Sequence, residues 1–272
     1  MIGIIVANIM HRFSTEVIRA IEDYCHSQDI HAIICNADDD PDKEKKYINM
    51  LKAKQVDGLI LFPTGANTSL YEQMIKEEYP VVIMDRKIKD VKGKIPSVVA
   101  NNQEATKQAI LHLLKLGHKH IAIITEPLTI TPRIERVEGY KEALTSANMP
   151  VNESMVINCK KADMQKALEK LFSADSPPTA LLAGNDLVFI EVQKFIKQKG
   201  FNIPNDLSLI VYDNIPYADV ATPAVTTISQ PAFDMGTKAA DLLIKQILKE
   251  KIAYEEYQYE CELIIRETTL SH

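Results

Sequence analysis

Four short apolar runs decide the fold: Ile2-Gly3-Ile4-Ile5-Val6, Ile30-His31-Ala32-Ile33-Ile34-Cys35, Gly58-Leu59-Ile60-Leu61-Phe62 and Val81-Val82-Ile83-Met84. Each is long enough for a strand and too short for a helix, and polar stretches of helical period lie between them. Val17, Ile18, Ile21, Tyr24 and Cys25 form one such apolar stripe. A strand that is apolar at every position is covered on both faces, since alternation is needed only where one face meets water. Strands of that kind separated by amphipathic helices predict a parallel α/β sheet. Asp40-Pro41 reads as an N-cap followed by proline at the first helical position, opening a helix over 42–54.

Working outward, the rhythm breaks near Ile95–Asn102 and restarts with His120–Thr125, Met155–Asn158, Thr179–Ala183 and Ser208–Tyr212. Ile134, Val137, Tyr140, Ala143, Leu144 and Ala147 form a second helical stripe. The pattern predicts two four-strand α/β units in tandem. After Tyr212 it changes: Thr226–Ser229, a helix through Phe233–Leu248, and an alternating stretch over Tyr257–Ile265. This strand–helix–strand tail must join one of the two sheets, and the sequence leaves open which.

Composition limits the function. The chain has 272 residues, 46% hydrophobic and 25% charged, which fits a globular protein large enough to form two lobes. Its 31 basic and 37 acidic residues give a net charge of −6, so the chain as a whole is poorly suited to neutralising nucleic-acid phosphates. No apolar run approaches the roughly 20 residues of a membrane helix. The N-terminus lacks the basic segment of a signal peptide, although a trimmed chain would look the same. Cys25, Cys35, Cys159 and Cys261 are scattered, as isolated reduced thiols of an intracellular protein would be.

No metal, cofactor or catalytic constellation emerges. Asp38-Asp39-Asp40 lacks the glycine and terminal glutamate of a calcium loop and reads as a capped, solvated turn. His118-Lys119-His120 alternates like a surface strand edge and has no third zinc ligand nearby. There is no nucleophile elbow, P-loop or dinucleotide fingerprint, and only 9 glycines occur in the chain. The reading is therefore a non-enzyme without a cofactor.

What stands out is the chemistry after the strands, where open parallel sheets bind ligands. Asn8, Phe13 and Ser14 follow the first run, and Asp85-Arg86-Lys87 the fourth. The second unit offers Arg133 and Arg136, Lys161, Asn185-Asp186 and Asp213-Asn214. Carboxylates, amides and guanidinium groups beside an aromatic ring suit a small polyhydroxylated ligand. Singly, Asp85 or Asp213 could cap a helix and Arg86 could be a surface charge. Their shared station at strand ends favours a site.

These residues resemble the effector-binding core of LacI/GalR transcriptional regulators. The resemblance is carried by Gly184-Asn185-Asp186, Lys199-Gly200-Phe201-Asn202-Ile203-Pro204-Asn205-Asp206-Leu207-Ser208, Tyr212-Asp213-Asn214 and Thr226-Thr227-Ile228-Ser229-Gln230-Pro231. Leu116-Gly117-His118-Lys119-His120, Arg136-Val137-Glu138-Gly139-Tyr140, Gln55-Val56-Asp57-Gly58 and the opening run follow the same pattern, so the likeness spans the chain. Met10-His11-Arg12-Phe13, Val211, Phe189 and Glu191 depart from it.

The resemblance implies two doubly wound parallel-sheet lobes of periplasmic-binding-protein type, joined by three crossover segments. The lobes would be residues 1–100 plus 232–261 and residues 103–229 plus 264–272, closing on a sugar-like effector. The family's N-terminal helix-turn-helix headpiece, through which a homodimer binds operator DNA, would be absent from this chain. The implied setting is cytoplasmic, with no membrane contact. The ligand contacts would be Asn8, Phe13, Ser14, Asp85, Arg86, Arg133, Lys161, Asn185, Asp213 and Gln230, with Ile134 rather than Arg133 at the family's usual position in a gapless reading. Arg86, Lys161 and Arg133 together suggest an anionic ligand, a sugar acid of keto-gluconate type. The rival reading is an extracytoplasmic sugar-binding protein of a transport system, which shares the bilobed plan.

Overall fold

The computed structural model describes residues 1–88 and 91–272. Twelve strands and eight α-helices occur among them. In chain order the strands are β1 (Ile2–Val6), β2 (Ala32–Asn36), β3 (Gly58–Leu61), β4 (Val81–Met84), β5 (Ser97–Ala100), β6 (Ile121–Thr125), β7 (Val156–Asn158), β8 (Ala180–Ala183), β9 (Ser208–Tyr212), β10 (Thr226–Ser229), β11 (Glu256–Tyr259) and β12 (Glu262–Ile264). The helices are α1 (Arg12–Ser27), α2 (Pro41–Ala53), α3 (Thr68–Lys76), α4 (Asn102–Lys115), α5 (Thr131–Ser146), α6 (Met164–Phe172), α7 (Asp186–Lys199) and α8 (Ala232–Ile247). The chain divides into two units, Met1–Ala100 with Pro231–Tyr259, and Asn101–Gln230 with Glu260–His272.

The first unit is a six-stranded sheet in the order β11-β5-β4-β3-β1-β2, parallel throughout. Every residue of β1, β3 and β4 is buried, which is why those runs carry no polar alternation. Ile5, Leu59, Leu61, Val81 and Ile83 face Ile48 and Leu51 of α2 and Tyr71 and Met74 of α3. Each fully buried aliphatic side chain of this kind contributes roughly 1.5–3 kcal/mol. On α1, Val17, Ile18, Ile21 and Cys25 are buried as the stripe predicts, and α1 packs on α8. Asp40 caps α2 as expected, accepting from the Asp42 and Lys43 N–H groups at 2.8 and 3.2 Å.

The second unit repeats the plan in the order β12-β10-β9-β8-β6-β7, with only β12 antiparallel to its neighbour. Its strands divide their side chains by twos. Ile121 and Ile123 of β6 pack with α4 and α5, whereas Ala122 and Ile124 pack with α6 and α7. Within the α5 stripe Val137, Tyr140, Ala143 and Leu144 are buried, while Ile134 is 36% exposed. Cys261 lies with this unit, since its N–H donates to Asn101 Oδ1 at 2.8 Å and its thiol lies 3.5 Å from the Tyr212 hydroxyl.

Three expectations need correction. The units have six strands each rather than four: the stretch read as a break, Ile95–Asn102, contains strand β5 of the first unit, and the tail supplies β11 to that unit and β10 and β12 to the second. The tail serves both units: β10 and β12 extend the second sheet, β11 extends the first, and α8 packs on α1.

The third concerns His118, which is 3% exposed and not a surface residue. Its Nδ1 lies 2.9 Å from Thr179 Oγ1, and its Nε2 lies 3.0 Å from both Ser208 Oγ and the Leu270 carbonyl. Burial lowers its pKa, partly offset by the Leu270 carbonyl. The folded state thus disfavours the proton that the unfolded chain accepts below about pH 6.5. This contribution to stability is complete above that pH and is lost as pH falls below it. His112, also lowered by burial, acts in the same sense. Melting curves at pH 7.5 and 5.5 should show a drop that shrinks in His118→Gln; an equal drop in the variant would refute the assignment. Among the described residues none of the four cysteines is in a disulfide, and burial pushes Cys25 up to about 11.

Candidate functional site

In each sheet the strand order reverses beside the first strand of its unit, at β1 and at β6, and ligands of open α/β sheets bind beyond the carboxyl ends near such points. In the first unit β1, β3 and β4 are consecutive, so their ends stand about 5 Å apart. Asn8 follows β1 and accepts from the Met10 N–H at 2.8 Å, turning the chain toward α1. Phe13 and Ser14 lie in the first turn of α1 and are buried. Asp85 follows β4 with φ of +69°, and its N–H donates to the Val98 carbonyl at 2.8 Å.

Arg86 is at this edge but faces inward as a strut, with 4% exposure. One terminal nitrogen donates to the Pro63 carbonyl at 2.9 Å after β3. The other meets Asp39 Oδ1 at 2.6 Å after β2, and Nε lies 3.6 Å from Asp85 Oδ2. One guanidinium therefore ties together the loops after β2, β3 and β4, and its charge is matched by two carboxylates. Asp39, read as part of a solvated turn, is a member of this rim. Among the described residues no acidic, histidine or cysteine cluster could hold a metal ion.

In the second unit β6, β8, β9 and β10 are consecutive. Asn185 follows β8 and caps α7, with Oδ1 accepting from the Val188 N–H at 2.8 Å and Nδ2 donating to Glu126 Oε2 at 3.0 Å. Asp213 follows β9 with φ of +80°, and its N–H donates to the Ile228 carbonyl at 2.9 Å. Gln230, just past β10, donates Nε2 to Asp213 Oδ1 at 2.6 Å. Its Oε1 is buried and accepts no hydrogen bond from the described residues.

Of the cations of this unit, Arg133 is matched like Arg86. Arg133 is buried and donates to Glu126 Oε2 at 2.7 Å. Lys161 lies beyond β7, with its side chain 63% exposed, 3.7 Å from the buried Glu191. Arg136 is another strut, donating to Asn102 Oδ1 at 2.9 Å and the Gly184 carbonyl at 2.6 Å, 3.5 Å above the Tyr212 ring. Sequence reasoning missed Glu126, which joins Arg133 to Asn185. A lone glutamate before Pro127 carries no motif, and only the adjacency of β6 and β8 brings it to Asn185.

Comparison with known proteins agrees with this geometry. The family described as periplasmic binding proteins and sugar binding domain of LacI family matches residues 1–267. The "Probable HTH-type transcriptional regulator EndR" of Paenibacillus polymyxa is 40% identical over 274 residues, covering 100% of this chain and 79% of the relative. The ribose operon repressor of Halalkalibacterium halodurans is 34% identical over 272 residues, covering 99% and 79%. A LacI family transcriptional regulator from Enterococcus faecium, solved with bound ribose, superposes with a TM-score of 0.86 at 28% identity, covering 100% of this chain and 99% of that one. With both sheets, both reversal points and the sequence match in agreement, this chain belongs to the LacI family, as a sugar-binding regulatory core of its periplasmic-binding-protein-like type.

Proposed function

We propose that the polar rims at the carboxyl ends of the two sheets bind a neutral sugar, and that this binding regulates attachment to operator DNA. The carrying observation is that the two buried cations of the expected anion site each have a carboxylate partner in their own unit, Arg86 with Asp39 and Arg133 with Glu126, while the third, Lys161, is exposed and lies 3.7 Å from Glu191, which Lys194 holds at 2.9 Å. A site so compensated needs no charge from its ligand. Asn8, Phe13, Ser14, Asp85, Asn185, Asp213 and Gln230 then supply the contacts. The Gln230 Oε1 atom suits a sugar hydroxyl as donor. The ribose bound to the Enterococcus faecium regulator, and the cellobiose in the complex of the transcriptional regulator CelR, motivate the choice of test sugars. The same reading includes a homodimer acting in the cytoplasm through a helix-turn-helix. It is preferred to the transport reading because relatives at 30–40% identity are named as regulators.

Calorimetry with ribose, glucose and cellobiose against gluconate and 2-ketogluconate tests the proposal. Heat is expected with a neutral sugar, and Asp213→Ala should weaken that binding by roughly 10–150-fold, the weight of about 1.5–3 kcal/mol for a hydrogen bond to a charged group. Heat with the acids alone would overturn the neutral-sugar proposal in favour of the sugar acid.

A further inference from the structure

Behind the rim of the first unit lies a buried charge that the ligand contacts do not use. Glu44, in the first turn of α2, is fully buried. Its carboxylate accepts from the Thr64 hydroxyl and the Tyr71 hydroxyl, from Asn67 Nδ2 at 2.7 Å, and from the Thr64 N–H at 3.3 Å. All these donors belong to the β3–α3 loop or to α3 itself. Asn67 sits at the N-cap of α3 but makes no side-chain capping bond there; its amide donates to Glu44 and to the Pro41 carbonyl at 2.9 Å.

The residue before Thr64 in the loop is Pro63, whose carbonyl receives Arg86. The loop is thus fastened from behind by a buried anion and in front by a buried cation. Asp39 closes the circuit, because it meets Arg86 and lies just before the Asp40 cap of α2, the helix that carries Glu44. Burying a carboxylate is costly and persists where a full set of hydrogen bonds compensates it. Here that set fixes one loop and no ligand contact directly.

We propose that Glu44 is a positioning residue for sugar binding: it locks the loop over residues 63–67 so that the Pro63 carbonyl orients Arg86, and Arg86 in turn holds the Asp85 side of the rim. The proposal rests on the neutral-sugar reading above. Glu44 touches no ligand; it acts through Arg86.

Ribose, glucose and cellobiose are titrated calorimetrically into wild type, Glu44→Gln, Asp85→Asn and the double variant, with melting temperatures measured in parallel. Glu44→Gln should weaken sugar binding about tenfold, the weight of about one charge-assisted hydrogen bond. In the Asp85→Asn background the further loss should shrink below about threefold, because the two residues act in one chain. A purely structural role would lower the melting temperature without this coupling. Should Glu44→Gln fail to fold, Tyr71→Phe applies the same test at smaller amplitude, since it removes one donor to Glu44 and alters nothing at the rim. Unchanged affinity, or equal losses in both backgrounds, overturns the proposal while the sugar reading stands. Absence of heat from wild type with all three sugars overturns both.

Discussion

Gly139→Ala should lower the melting temperature of the second unit by roughly 5–15 °C, the counterpart of about 2–4 kcal/mol for a unit of this size. A Cβ at this position would lie 2.1 Å from the Gln103 carbonyl oxygen and 2.9 Å from its carbon, with Thr106 Cβ at 3.1 Å. The obstacle is backbone in the first turn of α4, so no rotamer change relieves it. The two helices must move apart, and the layer of Ala105, Ala109, Val137 and Tyr140 between them and the sheet loosens. Working against this is the helix preference for alanine over glycine, about 1 kcal/mol. The clash outweighs that preference because the close approach is to a main-chain atom. Thermal denaturation decides it: an unchanged or raised melting temperature would show that α4 yields at little cost.

The second large effect is expected at Glu44→Ala. Deleting this carboxylate leaves the fully buried Tyr71 hydroxyl without its acceptor and removes the hydrogen bonds of the partly exposed Thr64 hydroxyl and Asn67 amide, the latter keeping the Pro41 carbonyl. The buried donor left unpaired costs about 1–3 kcal/mol and each of the other lost bonds about 0.5–1.5 kcal/mol, so a loss of about 3–5 kcal/mol is expected after some relaxation. Tyr71 cannot escape by ionising, since burial, the largest cause of its raised pKa, persists in the variant. Chemical denaturation should show the midpoint falling with the slope unchanged. A loss below about 1 kcal/mol would mean that the loop refits around the smaller side chain.

Much of the fold was legible because a parallel strand buried on both faces writes itself as an uninterrupted Ile/Val/Leu run. β1, β3, β4, β6, β8 and β9 all carry that signature. β5 escaped because Pro96 and Asn101-Asn102 frame only four residues, two of them Ser97 and Ala100. β11, Glu-Tyr-Gln-Tyr, is an edge strand whose polar residues hide its membership of any sheet.

The strand-end positions of the candidate site were legible, but not the partners that its side chains take. Strand ends locate Asp85, Arg86, Asn185 and Asp213, yet nothing local says which way a guanidinium turns. Asp39 and the Pro63 carbonyl reach Arg86 from segments distant in sequence. His118 was misread for the same reason. Polar neighbours suggested solvent, whereas Thr179, Ser208 and Leu270 from three separate segments enclose it.

Asp85 and Asp213 occupy the same station, one residue past the fourth strand of their units, each left-handed and each donating its N–H to the strand alongside. The chain therefore carries two editions of one socket on separate scaffolds. Substitutions that retune one edition leave the hydrogen-bonding frame of the other unaltered. Preference for a new ligand can thus be acquired in successive, separable steps.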